Sequence, residues 1–394
     1  MSKVKERACA YVDDIADNLT DVARRIFERP ELKFEEEFAS KLLAENLQKV
    51  GFDATLGVAG LDTAIRAEHP ASGDGPTVAI LGEYDALPEI GHACGHNLIA
   101  AAGLGAALAI GAVKTDLPGR IVFFGTPGEE GGGGKVIMVE AGLFEDIDAA
   151  LMFHPSSHTV VDRGSLAITE VQIEFTGKAS HAAGSPEKGI NALDAVIQTF
   201  NGMNALRQHI KDGARIHGII TNGGAKPNIV PEHAAASFYV RALENDYRDE
   251  LLEKLKSCAE GAALATGAKL SFSKVGHPFK AMKTNRAIAG AFEQNLQALG
   301  EPLILPPADA GMGSTDMGDV SQAVPSIHAY IKICKQDVAA HSRGFAEAAI
   351  SQRGLDAMLV AAKALAMTAI DILTDSELEE RMKEEFQNYK ASRR

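Results

Sequence analysis

The sequence predicts an α/β protein with two domains: one with a mixed sheet covered by helices on both faces, and an inserted ferredoxin-like α+β domain. Two patterns carry this prediction. Apolar strand-like runs alternate with helical segments over residues 1–165, and a β-α-β-β-α-β order follows over residues 166–283. The first pattern resumes over residues 284–394. We therefore expect a discontinuous first domain that is interrupted by a single insertion.

The elements of the first domain follow from short apolar runs and helical periodicity. Residues 120–125 form a compact apolar run bounded by glycine, which is typical of a strand buried on both faces. Residues 98–113 are shorter than the ~20 residues of a spanning helix and are rich in glycine and alanine, which indicates a buried helix. The expected helices are at 3–50, 98–113, 135–141, 355–373 and from 375 onward, and the expected strands at 63–68, 77–81, 120–125, 149–153 and 329–334.

The insertion begins near Gly164, where the strands become half-exposed. Residues 166–175 alternate between apolar and polar side chains, as expected for a strand with one solvated face. The other expected elements are helices at 191–209 and 247–266 and strands at 216–221, 234–241 and 269–274.

Composition excludes several classes of protein. The 394 residues carry 39 Lys+Arg against 53 Asp+Glu, a formal net charge of −14, and 46% of the residues are hydrophobic. This is typical of a globular chain with sizeable cores, and its acidic balance argues against nucleic-acid binding. Four widely spaced cysteines and an N-terminus without an apolar signal core favour a cytoplasmic protein with no membrane segment.

Side chains with metal-binding chemistry follow three successive strands. Cys94 and His96 lie at a loop-to-helix junction, Glu129 and Glu130 follow the next strand, and His154 ends the third. The carboxyl ends of parallel strands meet at one edge of a sheet, so these side chains can converge on a metal. Alternatives remain open: Asn97 capping a helix beside an inert cysteine, two solvated acids in a surface loop, and a structural histidine.

The ordered motifs resemble the aminoacylase/carboxypeptidase family of two-metal peptidases over about residues 20–370. Within this family, the sequence resembles the branch that contains p-aminobenzoyl-glutamate hydrolase, the auxin-conjugate amidohydrolases and the β-alanyl dipeptide hydrolases. The motifs are GEYDALP, GHACGHN, GTPGEEGGGG, FHP, GKASHAAGSPEKGINALDA, NIVPEH, GSTDMGDVS and AHSRGFAEAA.

This resemblance implies a centre with two divalent ions, Mn²⁺ or Zn²⁺ first and Co²⁺ or Ni²⁺ as alternatives. The implied metal ligands are Cys94, His96, Glu130, His154 and His341, with Cys94 bridging the ions. Glu129 is the implied general base. Asp85 is implied to be an acid that does not bind the ions itself but orients the site. Glu83 stands where the carboxypeptidase branch has a metal-binding histidine, so its role stays open, as do those of His92 and Asp316.

The resemblance also assigns roles to the insertion. It implies a dimerisation (lid) domain whose His181 stabilises the oxyanion in the active site of the other protomer, which implies a homodimer. Asn228 and Arg241 are candidates for holding a substrate carboxylate, since Arg binds carboxylates bidentately. A surface turn at His181 and a structural strand position for Arg241 are the alternatives.

The expected activity is metal-dependent hydrolysis of the amide bond in N-acyl or N-aroyl amino acids or small dipeptides. Glu129 would accept the proton of the attacking water and return it to the leaving nitrogen. Two alternatives remain: hydrolytic deamination or another C–N hydrolysis of a small aromatic or amidine substrate at the same centre, and a non-catalytic partner subunit.

Overall fold

The structure is a computed structural model, and it describes residues 1–69, 73–307 and 310–392. The chain divides into two compact units. The first consists of Met1–Gly164, Met282–Met312 and Asp316–Arg394, and the second of Ser165–Ala281 with Gly313–Thr315. The short segment Gly313–Thr315 joins the second unit through contacts such as the hydrogen bond from the Leu166 amide to the Gly313 carbonyl (2.8 Å), which the sequence did not indicate.

The first unit contains a six-stranded mixed sheet. In sheet order its strands are β1 (Asp53–Leu56), β2 (Ile65–His69), β4 (Arg120–Thr126), β3 (Thr77–Glu83), β5 (Ala149–Ser156) and β10 (Ser326–Lys332). The last four strands in this order are parallel, whereas β1 and β2 pair antiparallel at one edge. Every residue of β3 is buried, as expected for a parallel strand covered on both faces.

Helices surround this sheet in the first unit. They are α1 (Lys3–Asp14), α2 (Ala16–Glu28), α3 (Glu37–Lys49), α4 (His96–Val113), α5 (Gly134–Glu140), α8 (Arg286–Ala298), α9 (Met317–Ala323), α10 (Arg343–Ala349), α11 (Gln352–Thr374) and α12 (Ser376–Ala391). The periodic segment at 3–50 is therefore three helices. A side chain at Gly103 of α4 would lie 2.7 Å from the Leu81 carbonyl oxygen, so glycine allows this helix to approach β3 closely.

The second unit has the predicted β-α-β-β-α-β order. Its elements are β6 (Ala167–Thr176), α6 (Ala192–Leu206), β7 (Arg215–Asn222), β8 (His233–Ala242), α7 (Asn245–Thr266) and β9 (Lys269–Phe279). The antiparallel sheet order β7-β8-β6-β9 is that of a ferredoxin-like fold. The two architectures confirm the predicted fold class.

Two helical segments, His96–Asp116 and Gln352–Thr374, are long and apolar enough to cross a bilayer by length and composition alone. Of their most apolar windows, 83% and 72% are buried inside the protein. Core helices of soluble proteins have the same properties, so these segments are weak indicators of a membrane protein.

Candidate metal centre

The candidate site lies at the carboxyl edge of the parallel part of the sheet. β3 ends at Glu83, β4 ends just before the loop with Glu129 and Glu130, and His154 belongs to the last part of β5. These three strands are adjacent and parallel. The predicted residues of the first unit are therefore delivered to one edge of one sheet.

Cys94 and His96 are separated by a glycine that the local backbone requires. Gly95 has φ of +79° and forms the N-cap of α4. A side chain at this position would also lie 2.5 Å from Pro155 Cγ. Asn97 does not cap the helix; its amide instead donates to the carbonyls of Ala23 (3.3 Å) and Ala349 (3.4 Å). The alternative of a capping Asn97 is thus wrong.

His96 is oriented by Asp85. Its Nδ1 lies 2.8 Å from the Asp85 carbonyl oxygen and 3.0 Å from Asp85 Oδ1, and both side chains are fully enclosed. These two acceptors place the ring proton on Nδ1, which leaves Nε2 free to bind a metal. The second oxygen of Asp85 accepts from the Glu130 amide at 2.9 Å, so one carboxylate orients two predicted ligands.

Glu36, a buried residue that no sequence motif indicates, is hydrogen-bonded to the loop that carries Glu129 and Glu130. Glu36 Oε1 accepts from the amides of Gly128 and Phe34, both at 2.9 Å, and Oε2 accepts from the Thr63 hydroxyl at 2.8 Å. Its place in the acidic run EEEF gave no sequence signal that it is buried. Glu36 therefore fixes the backbone immediately before the Glu129–Glu130 pair.

His154 and His341 complete the set of predicted ligands. His154 Nε2 lies 3.5 Å from Cys94 Sγ, and its Nδ1 is 2.7 Å from the Pro155 carbonyl oxygen. His341 Nε2 lies 3.3 Å from Glu130 Oε1. The backbone at His341 has φ of +60°, and its amide donates to the Ala93 carbonyl at 3.0 Å. That hydrogen bond ties the His341 loop to the loop of Cys94.

The donor atoms form groups of the size that a metal ion requires. Within each of three groups, all donor atoms lie within 4.8 Å of one another: Cys94 with His96 and His154, Cys94 with Glu130 and His341, and His96 with Glu129 and Glu130. Cys94 is common to the first two groups, as a bridging thiolate would be. His96 Nε2 is buried with no hydrogen-bond partner among the described residues. The mixed sulfur, nitrogen and oxygen donors and this orphaned nitrogen fit a pair of divalent ions.

Burial and neighbouring charges shift the pKa values of three groups at the site. Burial lowers the pKa of His154 to about 4, so its ring is neutral at neutral pH. Burial alone would raise the pKa of Glu130, but its interaction with His341, whose Nε2 lies 3.3 Å from Oε1, lowers it below the ordinary value. Burial and the carboxylates of Glu83 and Glu130 raise the pKa of Glu129 well above its ordinary value. Glu129 is thus the member of the carboxylate pair that holds a proton more readily.

A buried ion cluster, also unforeseen, lies next to these residues. Lys135 at the start of α5 has no exposed surface, and its Nζ lies 2.5 Å from Glu83 Oε1 and 2.8 Å from Asp316 Oδ1. Asp316 Oδ2 also accepts from the Lys135 amide at 3.0 Å. A lysine after four glycines at a strand end was the available sequence signal, but its two acidic partners come from distant segments.

His92, whose role the sequence left open, makes a structural contact. Its Nε2 lies 3.1 Å from the Ile26 carbonyl oxygen.

The remaining predicted residues belong to the second unit. His181 is exposed, and its Nδ1 accepts from the amides of Ala183 (3.2 Å) and Gly184 (3.0 Å). Its proton therefore sits on Nε2, which can donate to a ligand. Asn228 is exposed, and its backbone carbonyl oxygen accepts a hydrogen bond from the Ala182 amide at 3.0 Å. Arg241 lies on β8 with Nη1 3.3 Å from the Ser314 hydroxyl, while its buried Nε has no hydrogen-bond partner in the described chain.

The cysteine-centred set of donor atoms at the edge of an α/β sheet indicates a metal centre, and comparison with known proteins identifies the class of protein. The chain belongs to the peptidase family M20/M25/M40, whose family model matches residues 79–369. It is 40% identical to the Xaa-Arg dipeptidase of Mus musculus over 97% of this chain and 92% of that protein. It is 37% identical to one of the two chains of the p-aminobenzoyl-glutamate hydrolase of Escherichia coli, over 74% of this chain and 65% of that one.

Solved structures show the same fold. A dinuclear metal-binding peptidase from Bacillus subtilis superposes with a TM-score of 0.71 at 21% identity, covering 92% of this chain and 99% of that one. An aminobenzoyl-glutamate utilization protein from Klebsiella pneumoniae superposes with a TM-score of 0.73 at 22% identity, covering 92% and 97%. These findings confirm the family resemblance. The protein is a metal-dependent hydrolase of amide bonds.

Proposed function

We propose that the protein releases a free amino acid from a small dipeptide or from an N-acyl or N-aroyl amino acid, with Glu129 as the general base. The observation that carries this proposal is the sharing of Cys94 between two groups of donor atoms beside the Glu129–Glu130 pair. The names of two relatives, an Xaa-Arg dipeptidase and a p-aminobenzoyl-glutamate hydrolase, support the substrate class, since each substrate ends in an amino acid.

The proposed ligands are Cys94, His96, Glu130, His154 and His341, and the two ions would supply a Lewis acid and an activated water when bound. Glu129 takes the proton of the attacking water on its carboxylate and gives it to the leaving nitrogen. Asp85 keeps the Nε2 lone pair of His96 directed into the site. Mn²⁺ or Zn²⁺ is proposed first, because the mixed sulfur, nitrogen and oxygen set suits both.

For the second unit we propose that His181 donates from Nε2 to the developing oxyanion in the partner protomer of a homodimer. The free Nε2 proton supports this role. The sheet edge at β7 also supports dimerisation, because Ile219 and Ile220 expose 66% and 45% of their surface there. Asn228 and Arg241 are proposed to hold the substrate carboxylate.

We also propose a cytoplasmic location, supported by four free cysteines.

The proposal is tested with the metal-stripped protein reloaded separately with Mn²⁺, Zn²⁺, Co²⁺ or Ni²⁺. Each form is incubated with Xaa-Arg dipeptides, other dipeptides, N-acyl amino acids and aminobenzoyl-glutamate, and products are identified by mass spectrometry. Release of a free amino acid, lost in Glu129→Gln, is the expected result. Ammonia alone, from aromatic amides or amidines added to the panel, would favour deamination. No turnover with any ion would favour the non-catalytic alternative.

A further inference from the structure

The connection between α2 and α3 holds a phenylalanine in a strained backbone conformation. Phe34 has φ of +66°, in the left-handed region that residues other than glycine rarely adopt. Such a conformation costs free energy and persists only where the surrounding structure fixes it. The contacts of Phe34 must therefore hold its backbone in this region.

The ring of Phe34 packs against two glycines of the loop that carries Glu129 and Glu130. A side chain on Gly128 would lie 2.7 Å from Phe34 Cε1, and one on Gly132 would lie 2.7 Å from Phe34 Cε2. Real Cβ atoms essentially never approach another atom this closely, so the ring fills the space of both missing side chains. The ring thus touches bare backbone before and after the Glu129–Glu130 pair.

A shared hydrogen-bond acceptor ties the backbone of Phe34 to the same loop. Glu36 Oε1 accepts from the Phe34 amide and from the Gly128 amide, both at 2.9 Å. The Glu35 amide donates to the Leu32 carbonyl at 2.8 Å, which closes a four-residue turn with Phe34 in third place. A positive φ at that place is typical of a type II turn, where glycine is the preferred residue. A phenylalanine there gives up the turn preference but supplies a ring to the loop.

We propose that Phe34 is a positioning residue that holds the loop of Glu129 and Glu130 in the shape that binds metal. This inference rests on the metal centre of the proposed function. Five of the seven residues 128–134 are glycine, the residue that loses most conformational freedom when it is ordered. Asp85 holds the Glu130 amide at 2.9 Å, and Phe34 restrains the chain on both sides of it. The loop is therefore ordered before an ion arrives, which strengthens binding.

Two variants separate positioning from stability. Phe34→Ala and Phe34→Gly both remove the ring, but only glycine accepts a positive φ at little cost. We expect Phe34→Gly to unfold at a higher urea concentration than Phe34→Ala, while both share one defect at the metal centre. Phe34→Leu keeps a large apolar side chain and should retain part of the wild-type behaviour. Phe38→Ala is the matched control, because the Phe38 ring packs under the guanidinium groups of Arg25 and Arg29, 5.4 and 4.7 Å from its centroid.

The defect is measured as binding of Zn²⁺ alone to the metal-stripped proteins, by competition with a chromophoric chelator. Loss of a residue behind a metal ligand typically costs about 10–100-fold in affinity. We expect Phe34→Ala and Phe34→Gly each to bind one of two ions about 10–100-fold more weakly than the wild type, with a smaller loss in Phe34→Leu. Phe38→Ala should bind both ions as the wild type does.

The comparison also states what would overturn the inference. Wild-type affinity for both ions in Phe34→Gly, or in Phe34→Leu if neither smaller variant folds, would overturn it and leave the proposed function standing. A loss of affinity in Phe34→Ala that Phe34→Gly does not share would do the same, because the loss would then follow stability. A wild type that binds fewer than two ions would overturn both the inference and the proposed function.

Discussion

Glu36 makes the stability of the protein depend on pH in a direction opposite to that of most acids. Burial and the nearby Asp85 carboxylate raise the pKa of Glu36 from its ordinary value of 4.5 to about 7. Between these values the native state holds a proton that the unfolded chain has lost. Stability is therefore fully present below about pH 4.5 and falls as pH rises to about 7. The pKa difference corresponds to about 3 kcal/mol at ~1.4 kcal/mol per unit.

The variant Glu36→Gln removes this titration and keeps the contacts. Its amide oxygen accepts from Gly128 and Phe34, and its amide nitrogen donates to the Thr63 hydroxyl. The free energy of unfolding is measured at pH 5 and pH 7.5 by urea titration with circular dichroism, because the chain has no tryptophan. Both samples are metal-free, since ligand protonation couples metal binding to pH.

The expected result is that the loss of stability from pH 5 to pH 7.5 is about 2 kcal/mol smaller in Glu36→Gln than in the wild type, because part of the full difference lies below pH 5. Glu35→Gln is the matched control, because it removes the same charge from an exposed neighbouring position and should keep the wild-type pH dependence. Equal pH dependence in the wild type and Glu36→Gln would show that the titration of Glu36 does not affect stability.

Three further predictions concern the site and the second unit. Glu129→Gln should bind two ions yet lose roughly 10²–10⁴-fold in turnover, and near-normal kcat would rule out Glu129 as the base. Lys135→Met leaves Glu83 and Asp316 buried without their cation, so urea unfolding should show a loss of about 3–5 kcal/mol; a loss below about 1 kcal/mol would contradict a buried ion cluster. His181→Ala should lower kcat without changing metal content, and an unchanged kcat would exclude its proposed role.

The sequence best predicts those site residues that lie on neighbouring strands or in the loops that follow them. Cys94 and Glu130 follow β3 and β4, His154 lies near the end of β5, and parallel strands deliver their carboxyl ends to one edge. His341 is different: it lies far along the chain, and only the family resemblance indicated it. Its position beside Glu130 depends on a left-handed turn and a backbone contact that no local pattern encodes.

Buried residues that contact the site without belonging to its donor atoms could not be predicted from local patterns. Glu36 resembles the solvated acids around it, and its burial follows from contacts with Thr63 and Gly128, which are distant in sequence. The local pattern predicts Lys135 only as the first residue of a helix, because its burial requires acids from β3 and from Asp316.

We propose that amide hydrolysis by this protein depends on two ions held around Cys94. It is tested most directly by adding Mn²⁺ or Zn²⁺ stepwise to the metal-stripped protein while free amino acid is measured from the best substrate of the panel. We expect no turnover without metal and a rise that ends at two equivalents per chain, with Cys94→Ser far below the wild type at the same loading. Full turnover in the metal-stripped protein, or in Cys94→Ser without bound metal, would contradict it.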